Sequence, residues 1–218
     1  MNLKTNKQIR CELVGSDLYL YGPINPMNWE EVDEKITAKA VREALAVAKE
    51  PELTVHLNSP GGDAFEANAI ANLLKASNLK IKIIVEGTAC SGAASILCAG
   101  DHNIAYKNAM FLIHGASTFV FGNEKDLRTA AEELKIVDAA QRENFKARWK
   151  GTEEELAEQL EKGSLFNAEQ ALAWGFIDEI LEDKQEESLA TASAQNTIEV
   201  KGPDRTIFEN LKRTWGGE

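Results

Sequence analysis

Three short stretches of this sequence combine residue types that could carry out acyl-transfer chemistry. They are Asn-Ser-Pro-Gly-Gly at residues 58–62, Gly-Thr-Ala-Cys-Ser-Gly at residues 87–92 and Met-Phe-Leu-Ile-His at residues 110–114. Ser91 offers a hydroxyl nucleophile and His114 an imidazole base, which is the pairing that serine hydrolases use. The glycines can present backbone N–H groups to a developing oxyanion. Together these stretches predict a serine hydrolase site.

Gly62 and Gly92 are the predicted donors of the oxyanion hole. Ser91 falls between a predicted buried strand and the first turn of a helix, where backbone N–H groups have no intrahelical acceptor. The N–H of Gly92 is one natural donor. Gly62 is the second, because a glycine lets the backbone approach a substrate carbonyl closely.

The stretch around Ser91 has three other interpretations. A small residue can be selected for close helix packing, and Ser95, one turn after Ser91, fits that role better. Ala89 and Ala93 occupy the two positions that hold glycine in an α/β-hydrolase elbow, so that family is not supported. Cys90 is a rival nucleophile, but we expect a core or unreactive role for it.

The chain has three histidines, which narrows the choice of a general base. His56 falls inside a predicted strand, where a satisfied core or interface histidine is the expected role. His102 falls in a predicted exposed loop. His114 ends an apolar strand and is followed by Gly115, a place where a side chain can enter a cleft. His114 is therefore the predicted base.

The elements that must position these residues repeat a strand, a glycine turn and a helix. Such units are typical of an α/β fold with a parallel sheet. We predict a strand pair within residues 11–21, strands at residues 53–57, 79–85, 104–105, 111–113 and 176–180, and helices at residues 28–49, 65–76, 91–99, 124–149, 153–161 and 168–175.

Length and composition are those of one folded domain with an appendage. The 218 residues are 44% hydrophobic and 27% charged, which is ordinary for a globular protein. We predict a catalytic domain over residues 1–183 and a polar tail over residues 184–218. Apolar residues at helical spacing within residues 207–215 could form a small docking helix, with a frayed end as the alternative.

The net charge of −11 argues against a nucleic-acid groove or a membrane-surface site. The N-terminal ten residues have no apolar core like that of a signal peptide, and no apolar run approaches the roughly 20 residues that span a bilayer. We therefore expect a cytoplasmic location. The three cysteines lack metal-ligand spacing, so we predict no metal site.

The motifs together resemble the Clp protease proteolytic subunit (ClpP) family, whose pattern is N-S-P-G-G, a strand leading to G-x-A-A-S, and M-I-H. The similarity runs over residues 18–180 and places Ser91 on the nucleophile and His114 on the base. Residues 168–178 resemble the family's closing stretch. The small-residue run at 90–95, Asp101 and the extra tail resemble the phage-encoded branch, the head maturation proteases.

One position departs from the family pattern. Gly163 stands where the resemblance implies the acidic member of a catalytic triad, and glycine has no side chain with which to orient a histidine. Loss of that acid costs roughly 10⁴-fold in kcat in well-studied triads. Glu161 is the nearest candidate for a substitute and Glu158 is the second.

The resemblance also implies the ClpP/crotonase-like fold of repeated ββα units, a protruding strand and helix, and assembly into stacked rings. Residues 118–122 and the helix from residue 124 match the protruding segment. An extended peptide would pair with strand edges near Gly61 and Phe119. The implied partners are a protein or peptide substrate, further copies of the chain, and either an ATPase unfoldase or phage capsid proteins.

The predicted function is a serine endopeptidase that cleaves extended or unfolded protein segments through an acyl-enzyme, without a cofactor. The sequence has no Gly-x-x-x-x-Gly-Lys-Ser/Thr phosphate loop, so ATP-driven unfolding would need a partner. Two alternatives remain open. One is a crotonase-like acyl-CoA enzyme, and the other is an inactive shell or assembly protein of the same fold.

Overall fold

The computed structural model describes residues 10–25 and 35–182. In order along the chain, the elements are β1 (Arg10–Val14), β2 (Asp17–Tyr21), α1 (Ala38–Val47), β3 (Glu52–Ser59), α2 (Ala64–Ala76), β4 (Lys80–Cys90), α3 (Gly92–Leu97), β5 (His102–Tyr106), β6 (Met110–Ile113), α4 (Glu124–Lys146), α5 (Glu153–Lys162), β7 (Ser164–Asn167), α6 (Ala168–Trp174) and β8 (Glu179–Leu181).

The strands form one mixed sheet in the order β1-β2-β3-β4-β5-β8. The β1–β2 pair is antiparallel and the other neighbours in this order are parallel. The first half of the long strand β4 pairs with β5, and its last residues pair with β6, which in turn pairs with β7 in the antiparallel direction. The predicted α/β fold with a mainly parallel sheet is confirmed.

The alternation along the strands separates a helix-covered face of the sheet from a partly open one. In β3, Leu53, Val55 and Leu57 are at most 1% exposed and belong to the hydrophobic core. The residues between them, including His56, are half-buried on the opposite face. This period of two is the pattern expected for a strand with one buried face.

The first helix is shorter than predicted. The sequence suggested a helix over residues 28–49, but α1 begins at Ala38, and residues 26–34 lie outside the described part of the chain. Ile36 forms a β-bridge with Ile24, and Thr37 caps α1 by accepting a hydrogen bond from the Ala40 N–H (3.2 Å). The bridge needs an extended backbone, so the helix cannot start earlier.

Several further elements differ from the prediction. Helix α4 ends at Lys146 and β8 begins at Glu179, each three residues inside its predicted bound. Strand β4 continues to Cys90, five residues beyond its predicted end, because its last residues pair with β6. Strand β7 was not predicted. Residues 118–122 do not form a strand, since no neighbouring strand pairs with them among the described residues. The tail over residues 184–218 and its domain boundary lie outside the described residues, and the tail stays a prediction.

No helix in the described ranges combines the length and the apolar character that a membrane span requires.

Asp178 ties the end of α6 to the sheet. Its carboxylate accepts hydrogen bonds from Arg148 (2.6 Å) and from the Asn103 backbone N–H (2.8 Å). Burial alone would raise the pKa of Asp178, but the two hydrogen bonds and the Arg148 charge outweigh it and hold the pKa below its ordinary value of 3.8. The carboxylate is therefore stabilised in its charged form.

Asp178→Asn is expected to lower the free energy of unfolding by about 1 kcal/mol at pH 7, a value reduced for partial exposure. A depressed folded-state pKa contributes stability above the unfolded pKa, and this stability is lost as the pH falls through the folded-state value. The difference between Asp178→Asn and the unsubstituted chain should therefore shrink below pH 4, measured by urea unfolding. Glu182→Gln is the control. A difference in unfolding free energy between Asp178→Asn and the unsubstituted chain that does not change with pH would contradict the stabilising role of the Asp178 carboxylate.

Candidate active site

The pairing of β4 with β6 brings Ser91 and His114 to the same edge of the sheet. The two strands are parallel, and Cys90 is in register with Leu112. The Ser91 backbone N–H donates to the Leu112 carbonyl at 2.7 Å, which extends the pairing by one residue. Ser91 and His114 are each the first residue after their strand, and the register places His114 one position beyond the residue level with Ser91, so the two are neighbours.

The serine hydroxyl and the imidazole are in hydrogen-bond contact. His114 Nε2 lies 2.9 Å from Ser91 Oγ, and His114 Nδ1 lies 2.5 Å from the Gly115 carbonyl oxygen. A carbonyl oxygen can only accept, so Nδ1 carries the hydrogen and Nε2 presents its lone pair to the serine hydroxyl. This tautomer is the one that a general base requires.

Ser91 adopts a backbone conformation that L-residues rarely occupy. Its φ is 55° and its ψ is −123°, and it is the one non-glycine residue in the described ranges with a positive φ. Such conformations cost about 1–3 kcal/mol and cluster at functional sites. The sharp turn from β4 into α3 directs Oγ toward the cleft. This backbone strain could not be predicted from the sequence, because a serine at this position does not by itself indicate a positive φ.

Gly62 turns its backbone polar groups toward the site. Ile24 donates its N–H to the Gly61 carbonyl (2.9 Å) and accepts the Asp63 N–H (2.8 Å). In a parallel ladder, the residue between these two positions directs its own N–H and C=O to the opposite side. Gly62 lines the cleft that contains Ser91 and His114. Its N–H is thus available to an oxyanion.

Both glycines of this turn are required by close packing. Gly61 has a φ of 90°, and a Cβ on it would lie 2.4 Å from the Cys90 carbonyl oxygen. Gly62 has a φ of 145°, and a Cβ on it would lie 2.1 Å from the Ile24 carbonyl oxygen. The turn at residues 61–62 therefore packs directly against the turn that carries Ser91. Gly92 begins α3, so its N–H has no intrahelical acceptor.

The cleft in front of Ser91 and His114 has a volume of about 290 Å³. One wall is the glycine turn and the start of α2, and the other wall is α4. The α4 residues that line it include Glu133, Val137 and Gln141.

The sequence matches the Clp protease family over residues 24–184, most of the chain. The chain belongs to the Clp protease family. It is 28% identical over 184 residues to the ATP-dependent Clp protease proteolytic subunit 3 of Rhizobium etli, covering 82% of this chain and 91% of that protein. The resemblance inferred from the motifs is confirmed at the level of the family.

Two further members of the Clp protease family show similar relationships. The proteolytic subunit 2 of Thermobifida fusca is 27% identical over 157 residues, which are 70% of this chain and 77% of that protein. The proteolytic subunit 3 of Frankia casuarinae is 33% identical over 144 residues, which are 65% of this chain and 67% of that protein. Residues 24–184, which match the family, include every predicted site residue.

Gly163 lies beside His114, at the position where the Clp protease resemblance implies an acid. It ends α5 with a φ of 67°, and a Cβ on it would lie 3.8 Å from His114 Cβ. A second cavity of about 270 Å³ lies behind His114 and includes Asp138, Arg142 and Glu161 in its lining. In the described part of the chain, Nδ1 bonds the Gly115 carbonyl and Glu161 makes no hydrogen bond to His114.

The predicted role of Glu161 therefore stays a prediction, supported by its place in this cavity. The second candidate acid, Glu158, is exposed and lines neither cavity at His114. Asp138 was not singled out from the sequence. It lies on α4, 24 positions after His114, and neither motif nor spacing connects the two residues.

The two predicted substrate-binding residues differ in their surroundings. Gly61 donates its N–H to Ser59 Oγ (3.1 Å), and its carbonyl accepts from Ile24, so both of its backbone groups are used within the fold. Phe119 is 93% exposed, and its neighbour Thr118 lines the cleft in its place. Their role in binding a peptide stays a prediction.

Cys90 and His56 have surroundings that differ from those of the Ser91 and His114 side chains. Burial raises the pKa of the Cys90 thiol, which disfavours the thiolate. His56 lies between Glu86 (2.7 Å) and Asp17 (2.9 Å) and stacks on Tyr19. Both of its nitrogens are thus occupied. No group of side chains among the described residues could hold a metal ion.

Gly62→Ala is expected to reduce peptide hydrolysis at least about 10²-fold. The added methyl group would displace the turn from Ile24 and withdraw one oxyanion donor, and removing one donor costs about 10²–10³ in kcat. Gly15→Ala is the matched control, because Gly15 also has a positive φ but nothing lies within 4 Å of its Cβ position. Equal hydrolysis rates for both variants would contradict the assignment of Gly62.

Proposed function

We propose that this chain is a serine endopeptidase that hydrolyses peptide bonds in extended or unfolded protein segments. The observation that carries the proposal is the 2.9 Å contact between His114 Nε2 and Ser91 Oγ, next to a glycine turn, in a member of the Clp protease family. No cofactor is needed for this reaction.

The proposed reaction proceeds through an acyl-enzyme. Ser91 Oγ attacks the scissile carbonyl carbon while its proton passes to His114 Nε2. The carbonyl oxygen becomes an oxyanion that accepts hydrogen bonds from the N–H groups of Gly62 and Gly92. The tetrahedral intermediate collapses, and His114 gives its proton to the leaving amine. Water, activated by the same imidazole, then hydrolyses the ester and restores Ser91.

Selection of extended segments follows from the backbone of the cleft wall. The N–H and C=O groups of Gly62 face away from Ile24, as the free groups of a strand edge do. An extended peptide can pair with such an edge, whereas a helix in a folded protein has its backbone groups already bonded. Gly61 and Phe119 would flank the segment.

Assembly into rings is part of the proposal. Phe119 and Phe121 are 93% and 95% exposed in the single chain and lie just before the long helix α4. Two large, exposed aromatic side chains this close together are typical of a surface that a second copy of the chain covers. The relatives are named as subunits of an ATP-dependent protease, so an ATPase unfoldase is a proposed partner.

Processing of phage capsid or scaffold proteins during head maturation is the more specific form of the proposal. The small-residue run at 90–95 and the C-terminal tail support it. The contact between Ser91 and His114 also argues against the crotonase-like alternative, because an acyl-CoA enzyme does not require it. An inactive shell protein of the same fold would differ only in that its Ser91 does not react with a serine-directed probe.

A fluorophosphonate probe is expected to form a single covalent adduct at Ser91, because the His114 base makes this hydroxyl nucleophilic. Ser91→Ala should abolish the adduct and peptide hydrolysis, as measured by intact mass and peptide mapping. Ser95→Ala is the matched control. Its hydroxyl is buried without a hydrogen-bond partner, so its removal should leave labelling unchanged.

An adduct on another residue, or none on the assembled protein, would contradict the proposed chemistry. Ring formation in the absence of labelling would favour the shell protein. Native mass spectrometry of the same sample reports the oligomeric state, so the two questions are answered on one preparation.

A further inference from the structure

Among the residues that the structure describes, no side-chain acid forms a hydrogen bond with His114, the base of the proposed peptidase. During attack His114 becomes positively charged, and in well-studied triads an aspartate stabilises that charge and fixes the imidazole. Here the Nδ1 hydrogen is donated to the neutral carbonyl of Gly115 (2.5 Å), and Gly163 offers no side chain. A negative charge that acts on His114 must reach it by another route.

The peptide group between Gly115 and Ala116 provides such a route. Its carbonyl oxygen accepts the hydrogen of His114 Nδ1, and its N–H donates to the carboxylate of Asp138. The carboxylate also lies against Gly115, where a Cβ would be 3.4 Å from Asp138 Oδ1 and 3.7 Å from Oδ2. Imidazole, peptide and carboxylate thus form one continuous chain of hydrogen bonds.

We infer that Asp138 is a positioning residue for His114 and acts through the Gly115–Ala116 peptide; this inference rests on the proposed function. A carboxylate that accepts the peptide N–H polarises the group and makes its carbonyl oxygen a stronger acceptor, since linked hydrogen bonds strengthen one another. The polarised oxygen holds the imidazole in the required tautomer and stabilises the imidazolium formed on attack.

Among the charged groups near His114, Asp138 is the one bonded to its loop. Arg142 is positive, so it opposes the imidazolium. Glu161 is exposed and makes no hydrogen bond to the loop within the described ranges. On the cleft side, Asp63 is occupied in capping α2. The charged residues that line the two cavities at His114 are Asp63, Glu133, Asp138, Arg142 and Glu161.

The test compares Asp138→Asn and Asp138→Glu in the full chain, by the rate of fluorophosphonate labelling of Ser91 across pH. Asparagine can still accept the Ala116 N–H but carries no charge. Labelling by Asp138→Asn is expected to fall about 10-fold to 100-fold, the range found when the outer partners of metal-ligating histidines are removed. Asp138→Glu should restore most of the rate.

The pH profile separates a charge effect from a change of loop structure. A nearby negative charge favours the protonated imidazole, so its removal should move the acid limb of the profile to lower pH. A loop that is only displaced would lower the rate without moving the limb. Glu132→Gln removes an exposed acid from the same helix and should change neither quantity.

A direct acid should compensate for the missing charge. Gly163→Asp places a carboxylate beside His114, where the Cβ position is 3.8 Å from His114 Cβ, and aspartate tolerates the left-handed conformation better than most residues. Added to Asp138→Asn, it should recover at least about 10-fold of the lost rate, since a direct acid is worth roughly 10⁴-fold in known triads.

The outcomes distinguish the inference from the function on which it rests. Failure of the unsubstituted chain to label at Ser91 would overturn both. Labelling of that chain together with an unchanged rate and pH profile in Asp138→Asn would overturn the inference alone. A loss confined to Glu161→Gln would instead assign the role to Glu161. If Asp138→Asn does not fold, a folded Asp138→Glu that labels at least about 10-fold more slowly than the unsubstituted chain would overturn the inference.

Discussion

The register between β4 and β6 is the constraint on which the site depends. It pairs Cys90 with Leu112, and the Ser91 N–H continues the ladder to the Leu112 carbonyl. A slip of one residue would turn the side chains to the opposite face and separate the serine from the imidazole. Strand β7 pairs with the far side of β6, and buried Phe111 and Phe166 stack across that pair. Both sides of the short strand are thereby held.

The same region concentrates backbone conformations that cost free energy. Ser91 has a positive φ, and Gly61 and Gly62 occupy positions that no larger residue could fill. The surrounding core offsets these costs, since α3 is buried along its whole length. The hydroxyl of Ser91 and the N–H of Gly62 are thus held in place without a substrate, which is the preorganisation that the proposed acyl transfer requires.

The sequence was sufficient for the parts of the site that depend on local signals. Strand ends and glycine turns predicted where Ser91 and His114 would meet, and the helix predicted over residues 153–161 matches α5 except for one residue at its end. The sequence was not sufficient to predict elements whose position depends on a contact with a distant part of the chain. Strand β7 forms because it pairs with β6, and α1 starts late because Ile36 forms an extended β-bridge with Ile24 through hydrogen bonds to Pro23 and Asn25.

The link from Asp138 to His114 could not be predicted for the same reason. The link passes through a backbone peptide group rather than between two side chains. No combination of residue types in the sequence therefore indicates it. Conversely, the sequence did reveal the absence of an acid at Gly163, and this absence directs attention to the other charges around the imidazole. When a catalytic pattern lacks one member, the charged groups packed around the remaining residues are therefore the ones to test as its replacement.

The most direct measurement of the central claim is a crystal structure of the protein with a peptide boronic acid, which forms a tetrahedral adduct with a reactive serine. We predict a bond from boron to Ser91 Oγ and one boronate oxygen within hydrogen-bond distance of the N–H groups of Gly62 and Gly92. The second boronate oxygen should face His114. A boronate bound elsewhere, or bonded to Ser91 with its oxygens directed away from both amides, would contradict the account.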